Sequence, residues 1–164
     1  MESLQSLIQD YKKQMERGAV PKAYRGLMEY LMALRANLQK KHPDYSLSAS
    51  LYQGYMDMTY FAFTPKSLQQ KKLKIAIVFV HESCRFEAWL AAYNKPVQAT
   101  YWKWFKESGW NPASLVPTIK GVDSILETIL VDEPDFSDLN GLNKKIEQAA
   151  LKWIKEVEAF LAKH

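Results

Sequence analysis

The segment that decides the fold is KLKIAIVFVHESCRFEAWLAAY, residues 72–93. Residues 73–81 are almost continuously apolar, and residues 85–93 form a second run after a short polar turn. This pattern predicts an antiparallel hairpin whose first strand lies in the middle of a sheet. We expect a turn at Ser83 and Cys84. A four-residue loop is the alternative, and either length leaves the same side chains on each face.

Alternation along this hairpin separates an apolar face from a mixed face. The apolar face contains Ile75, Ile77, Phe79, His81, Phe86, Ala88, Leu90 and Ala92. The mixed face contains Lys74, Ala76, Val78, Val80, Glu82, Arg85, Glu87, Trp89, Ala91 and Tyr93. We expect ion pairs from Arg85 to Glu82 across the strands and to Glu87 along its own strand.

The preceding segment SLSASLYQGYMDMTYFAF, residues 46–63, predicts another hairpin. A two-residue turn at Gln53 and Gly54 would place Tyr52 opposite Tyr55 and Ser50 opposite Asp57. In that register, Asp57 shares a face with several aromatic side chains and three serines. We expect this face to be continuous with the mixed face of the second hairpin, and to place Asp57 away from His81.

Helical patterns flank these hairpins. Residues 2–16 and 21–41 predict two N-terminal helices that form an antiparallel hairpin, and residues 96–108 predict a middle helix. A turn-rich connection follows at 109–120, then a fifth strand at 125–131 and a long helix at 138–163. The fold class is therefore α+β, with a mostly antiparallel sheet of four to five strands built from two hairpins. We expect a single domain over 1–164, comprising a helical hairpin at 1–44, a core β-meander at 45–93, and a helix, strand and C-terminal helix at 94–164.

The composition favours a soluble cytoplasmic protein. The chain has 164 residues, 48% of them hydrophobic, which suits one globular domain. A lone cysteine, Cys84, permits no internal disulfide. The first helix lacks the apolar region of a signal peptide, and no apolar run approaches the length of a membrane span. Residues 1–106 hold twice as many Lys and Arg as Asp and Glu, whereas the remainder is acidic. Without an RNA-binding motif, nucleic acid is a less favoured partner.

No familiar catalytic motif is present in the sequence, and we expect no cofactor. The candidate catalytic residues are Asp57, Glu87 and His81, with a structural role favoured for His81 at a strand end. Asp57, Glu82 and Glu87 could instead bind a divalent cation, which gives the alternative of a metal-assisted hydrolase or nuclease-like enzyme. We favour ordinary ion pairs over a metal site.

The preferred function is non-catalytic binding or interaction through the polar and aromatic sheet face. The partner would be a small molecule or a protein rather than a membrane, and the protein a monomer or homodimer. The predicted ligand-binding residues are Tyr52, Tyr55, Asp57, Arg85, Glu87, Trp89 and Tyr93.

The stretch YQGYMDMTYFAFTPKSLQQKKLKIAIVFVHESCRFEAWLAAYNKPVQATYWKWF, residues 52–105, resembles a family of small bacterial proteins of unknown function. The similarity extends through IKGVDSILETILVDEPDF, residues 119–136, and the flanking helices, so it covers nearly the whole chain. The resemblance implies a stand-alone bacterial cytoplasmic domain. It implies no activity, cofactor or catalytic residue.

Overall fold

The second hairpin forms the centre of an open antiparallel sheet in the computed structural model, which describes residues 1–110 and 113–163. Strand β3 (Leu73–Val80) pairs with β4 (Arg85–Ala92) over its whole length, from Leu73 opposite Ala92 to Val80 opposite Arg85. Residues 81–84 form a four-residue turn in which Cys84 has a φ of 51°. The longer loop is therefore correct, and the two predicted faces are confirmed for the paired residues 73–80 and 85–92. His81 and Glu82 lie in the turn, and Tyr93 lies beyond the end of β4.

Six strands make up the sheet within the described residues, in the order β1-β2-β3-β4-β6-β5. Besides β3 and β4, they are β1 (Ser46–Leu47), β2 (Met58–Thr64), β5 (Ser114–Leu115) and β6 (Ser124–Val131). The α+β class and the predicted fifth strand, now β6, are confirmed. The predicted strand count was too low because β5 has only two residues, too few to show an alternating pattern.

Five helices accompany the sheet within the same described residues. They are α1 (Leu4–Arg17), α2 (Ala19–Lys41), α3 (Lys66–Gln69), α4 (Lys95–Ser108) and α5 (Leu139–Ala162). Asn111, Pro112 and His164 lie outside the described residues, so the connection predicted at 109–120 is described only in part. None of the described helices combines the length and apolar character needed to cross a membrane.

The chain divides into two compact units, Met1–Asn37 and Leu38–His164. In the first, α1 ends at Gly18, which adopts a left-handed conformation, and α2 begins one residue later. No side chain of α1 is fully buried. The expected packing of α1 and α2 into a helical hairpin stays a prediction. The single-domain organisation stays a prediction.

In the second unit, the apolar face of the sheet is the core. Ile75, Ile77, Phe86 and Leu90 are fully buried there. Phe61 and Phe63 of β2 belong to the same face, since Phe61 pairs with Ile77, and both are also fully buried. Phe136, which precedes α5, contacts the rings of Phe79 and Phe86 and so brings that helix to the apolar side. The α5 stripe that meets this core includes Leu142, Ile146, Ala150, Trp153, Ile154, Val157 and Leu161.

The register predicted for the first hairpin is wrong. Tyr52 pairs with Tyr60, not with Tyr55, and β1 contains only two residues. Residues 53–57 form a wide loop in which the Asp57 carboxylate accepts hydrogen bonds from the amides of Tyr55 (2.9 Å) and Met58 (2.8 Å). The Asp57 side chain thus binds backbone amides that, in a hairpin with a two-residue turn, would be bonded to the opposite strand.

Gly54 provides a test of this loop. Its φ is +68°, and a Cβ atom there would collide with the Met58 carbonyl oxygen. We expect Gly54→Ala to lower the free energy of unfolding by about 1–3 kcal/mol, because alanine must adopt a left-handed conformation in a crowded position. Urea unfolding would measure the change.

Gly26 is the matched control, since it lies inside α2 with nothing within 4 Å of a built Cβ. Gly26→Ala should be stabilising by about 0.5–1 kcal/mol through helix propensity. Equal effects of the two substitutions would contradict this description of the loop.

Candidate functional site

The candidate site is the mixed face of the sheet, which we call the polar face: Tyr52, Tyr60, Lys74, Val78, Arg85, Glu87, Trp89, Glu127 and Ile129. These residues share one face because Tyr60 pairs with Val78, Val78 with Glu87, and Glu87 with Ile129. Val78, Ala76 and Ala91 on the same face are buried. Ile129 is 50% exposed, so the face is open to solvent at that strand.

Glu87 is the most buried charged residue of this face, with 6% of its surface exposed. Its carboxylate accepts two hydrogen bonds of 2.8 Å, one from Arg85 Nε and one from Trp89 Nε1. Arg85 also reaches Asp132, at 3.4 Å. A buried carboxylate is costly unless it is paired and hydrogen-bonded, and here both oxygens have a donor. The predicted pair of Arg85 with Glu87 is confirmed, and Asp132 takes the place expected for Glu82.

Glu127 lies directly opposite Trp89 on the neighbouring strand. Residues that are opposite in an antiparallel pair have Cβ atoms about 4.5–5.5 Å apart, and diagonal ones such as Glu87 and Glu127 about 7–8 Å. Ser124 donates a hydrogen bond to Glu127 Oε2 at 2.8 Å. Within residues 1–110 and 113–163, no Lys, Arg or His forms an ion pair with Glu127.

Burial raises the pKa of the Glu127 carboxyl, and the nearby Glu87 carboxylate raises it further, while the Ser124 hydroxyl opposes the shift. Loss of solvent around a charged group and a like charge nearby both favour the protonated form. The pKa of Tyr60 is also raised, mainly by burial. Tyr60 stacks on Tyr52 with ring centroids 4.9 Å apart. The polar face therefore combines aromatic surface with one satisfied and one unpaired carboxylate.

The structure separates the predicted site residues into three groups. Arg85, Glu87 and Trp89 share the polar face as expected, and Tyr52 joins them through its pairing with Tyr60. Tyr55 is 92% exposed in the 53–57 loop beside Asp57. Tyr93 lies beyond the end of β4, where its amide donates to the Lys72 carbonyl, and is 54% exposed.

Asp57 and His81 are neighbours, contrary to prediction. The His81 amide donates to the Asp57 carbonyl at 3.0 Å, which places Asp57 beside the end of β3 and not on the polar face with Glu87. The error follows from the incorrect register of the first hairpin. His81 Nε2 lies 2.8 Å from the Thr59 hydroxyl, and Thr59 donates to the Gln53 carbonyl at 3.2 Å. The pKa of Asp57 is lowered by the two amides that bind it.

The residues considered for a metal do not form a ligand set. Glu82 is exposed in the 81–84 turn, while Asp57 is bonded to loop amides and Glu87 to Arg85 and Trp89. No group of three His, Cys, Asp or Glu that could hold a metal ion occurs in the described part of the chain. The hydrolase alternative therefore lacks a metal-binding cluster there.

A shallow groove of about 270 Å³ lies elsewhere in the second unit. It is lined by Lys71, Pro96, Val97, Thr100, Tyr101 and Trp104. None of these residues was predicted as a site residue.

Sequence reasoning missed Glu127. The sign of it in the sequence was a single acidic residue within the apolar run ILETIL. The strand itself was predicted at the correct position, but its partner strand was not predicted. The residue opposite Glu127 could not be predicted, because the pairing of β6 with β4 shifts register between Phe86 and Glu87 and again between Leu90 and Ala91. Such bulges change the pairing without a recognisable sequence mark.

These features define the class: an α+β protein with an open antiparallel sheet and one polar, aromatic face. The DUF7000 family, a domain of unknown function, matches residues 4–161, and the chain belongs to this family. The resemblance to a family of unknown function, over nearly the whole chain, is thus confirmed. Neither the curated proteins nor the solved structures give a match.

The environment of His81 predicts how the stability of the protein depends on pH. Partial burial lowers the pKa of its imidazole, and Asp57 only partly opposes this. As pH falls below about 6.5, the unfolded chain takes up a proton before the folded protein does. Stability contributed by neutral His81 is therefore complete above that pH and is lost as the pH falls toward the lower pKa of the folded state.

We expect the urea midpoint to fall between about pH 7.5 and about pH 5.5 by more in the wild type than in His81→Gln. Glu127 has a raised pKa and acts in the opposite direction, but it is present in both proteins and cancels from the comparison. An identical pH dependence in the two proteins would show that His81 does not titrate as described.

Proposed function

We propose that this protein is a non-catalytic binding protein whose polar sheet face takes a small organic cation, such as an amine or a guanidinium compound. The observation that carries the proposal is the half-buried Glu127 carboxylate, opposite Trp89, with no ion-pair partner in the described chain. A carboxylate deprived of solvent gains most from a cation brought to it by a ligand.

The aromatic side chains favour an organic cation over a simple ion. An ammonium or guanidinium group near the indole of Trp89 would gain a cation–π interaction as well as a charge-assisted hydrogen bond to Glu127. Tyr52 and Tyr60 extend the aromatic surface on the same face. The apolar part of a ligand would lie against Ile129, which is 50% exposed on the same face.

Glu87 has a different role in this proposal. Its two oxygens are already occupied by Arg85 and Trp89, so it fixes the indole in place and adds negative potential behind the ligand. Trp89 is thereby held in one orientation before binding, which reduces the ordering cost of association.

The proposal includes a cytoplasmic location, supported by the single exposed cysteine, since reducing conditions would keep it as a thiol. A bacterial origin is what the family resemblance implies. The partner is a small molecule, and no cofactor is needed for binding of this kind.

Calorimetric titration with arylalkyl amines, arylguanidines and quaternary arylammonium ions tests the proposal. Glu127→Gln should weaken binding of the best cation roughly tenfold to hundredfold, the effect of losing about 1.5–3 kcal/mol from a charged hydrogen bond. The variant keeps an oxygen that can accept from Ser124, so the fold should be retained.

Glu133→Gln is the matched control, because Glu133 is an exposed carboxylate beyond the end of β6 and should not alter affinity. Neutral isosteres and aromatic carboxylates should bind weakly to the wild type. Failure of every cation to bind, or equal affinity in Glu127→Gln, would refute the proposed function.

A further inference from the structure

Lys74 lies on the polar face, on the other side of Trp89 from Glu127. On β3, Lys74 is opposite Ala91, and Ala76, the next residue on the same face, is opposite Trp89. Trp89 is in turn opposite Glu127 on β6. The strand that carries the indole therefore separates a basic side chain on one neighbouring strand from an acidic side chain on the other.

Lys74 is a half-buried amine without a counter-ion. It makes no ion pair with any carboxylate in the part of the chain that the structure describes. The Glu87 carboxylate is bonded to Arg85 and Trp89, and the Glu127 carboxylate accepts from the Ser124 hydroxyl. The polar face thus presents one cation and one anion that are not paired with each other.

The strand pairing sets the separation of these two charges. Ser124, which donates to Glu127, is opposite Ala91 on one side, and Lys74 is opposite Ala91 on the other. Because neighbouring strands lie about 4.8 Å apart, the backbones of Lys74 and Ser124 are about 10 Å apart. A ligand head group that carries both a donor and an acceptor fits this separation, with a hydrogen bond of about 3 Å at each end. The flexible stem of Lys74 can adjust to it.

We propose that the ligand of the polar face is an amino acid with an apolar side chain, whose ammonium group binds Glu127 and whose carboxylate binds Lys74. The inference rests on the proposed function and defines the cation further as one end of a zwitterion. The apolar side chain of the amino acid would lie against Trp89 and the half-exposed Ile129, which is two residues from Glu127 on the same face.

The anionic group is a carboxylate rather than a phosphate. One lysine supplies one positive charge, which one carboxylate balances. A phosphate monoester carries about −1.5 to −2 at neutral pH, so part of its charge would stay unbalanced. Arg85, the other cation of the polar face, is already bound to Glu87 and Asp132 and is not available for it.

Calorimetric titration of the full chain with phenylalanine and with phenethylamine tests the inference. The two compounds share the ammonium group and the ring, and only phenylalanine carries a carboxylate. The wild type should bind phenylalanine about fivefold more tightly than phenethylamine, the effect of a partly exposed ion pair. Lys74→Gln should remove this preference and leave the affinity for phenethylamine unchanged.

Lys72→Gln is the matched control, because Lys72 is an exposed lysine in the turn before β3. This variant should keep the preference for phenylalanine, although it loses the same charge. Lys74→Arg keeps the positive charge and should also retain the preference. The urea midpoint of each variant checks that the fold is intact.

The outcomes separate this inference from the proposed function. Phenethylamine that binds as tightly as phenylalanine in the wild type, and weakly in Glu127→Gln, would overturn the amino acid and leave cation binding intact. A preference for phenylalanine that persists in Lys74→Gln would overturn the role of Lys74. Failure of both compounds to bind would overturn the inference, and the proposed function would then depend on the other cations.

Discussion

The antiparallel pairing of β3 with β4 constrains every other part of the sheet. Successive side chains of a strand point to opposite faces, so a shift of one residue would carry Glu87 and Trp89 into the core. Phe79 opposite Phe86 and Ile77 opposite Ala88 prevent that shift, because these side chains are buried on the apolar face. The four-residue turn at 81–84 preserves the register, and β2 and β6 extend both faces on either side.

This register places a charged group where burial is costly, and the structure compensates locally. Glu87 is tolerated because Arg85 and Trp89, each two residues away on the same strand face, supply donors to both of its oxygens. The cross-strand neighbour Glu127 receives only the Ser124 hydroxyl, within the described chain. One carboxylate thus stabilises the face, and the other is left with unsatisfied charge. Unequal environments for neighbouring carboxyls are characteristic of functional sites more than of cores.

The sequence predicted the sheet correctly where a run was long enough for its hydrophobic pattern to identify a strand. The long runs at 73–80 and 85–92 predicted the central hairpin and its two faces, and the predicted Arg85–Glu87 pair followed from them. The first hairpin was misread because Gln53 and Gly54 resemble a tight turn, whereas the Asp57 side chain supports a wider loop through two amides. That error moved Asp57 to the wrong face and away from His81. Glu127 was missed because bulges fix its pairing with Trp89. The amphipathic pattern of α1 predicted the helix but not what its apolar side chains contact, because amphipathicity does not identify a partner.

The titration of Glu127 is the most direct measurement of whether the polar face binds a cation. Carbon NMR of labelled Glu carboxyls, assigned with Glu127→Gln, would follow this group against pH with and without a bound arylalkyl ammonium ion. We expect a pKa above the ordinary value of a glutamate in the free protein, and a lower pKa with the cation bound, because the cation favours the charged carboxylate. An ordinary pKa that does not respond to the cation would contradict cation binding at Glu127.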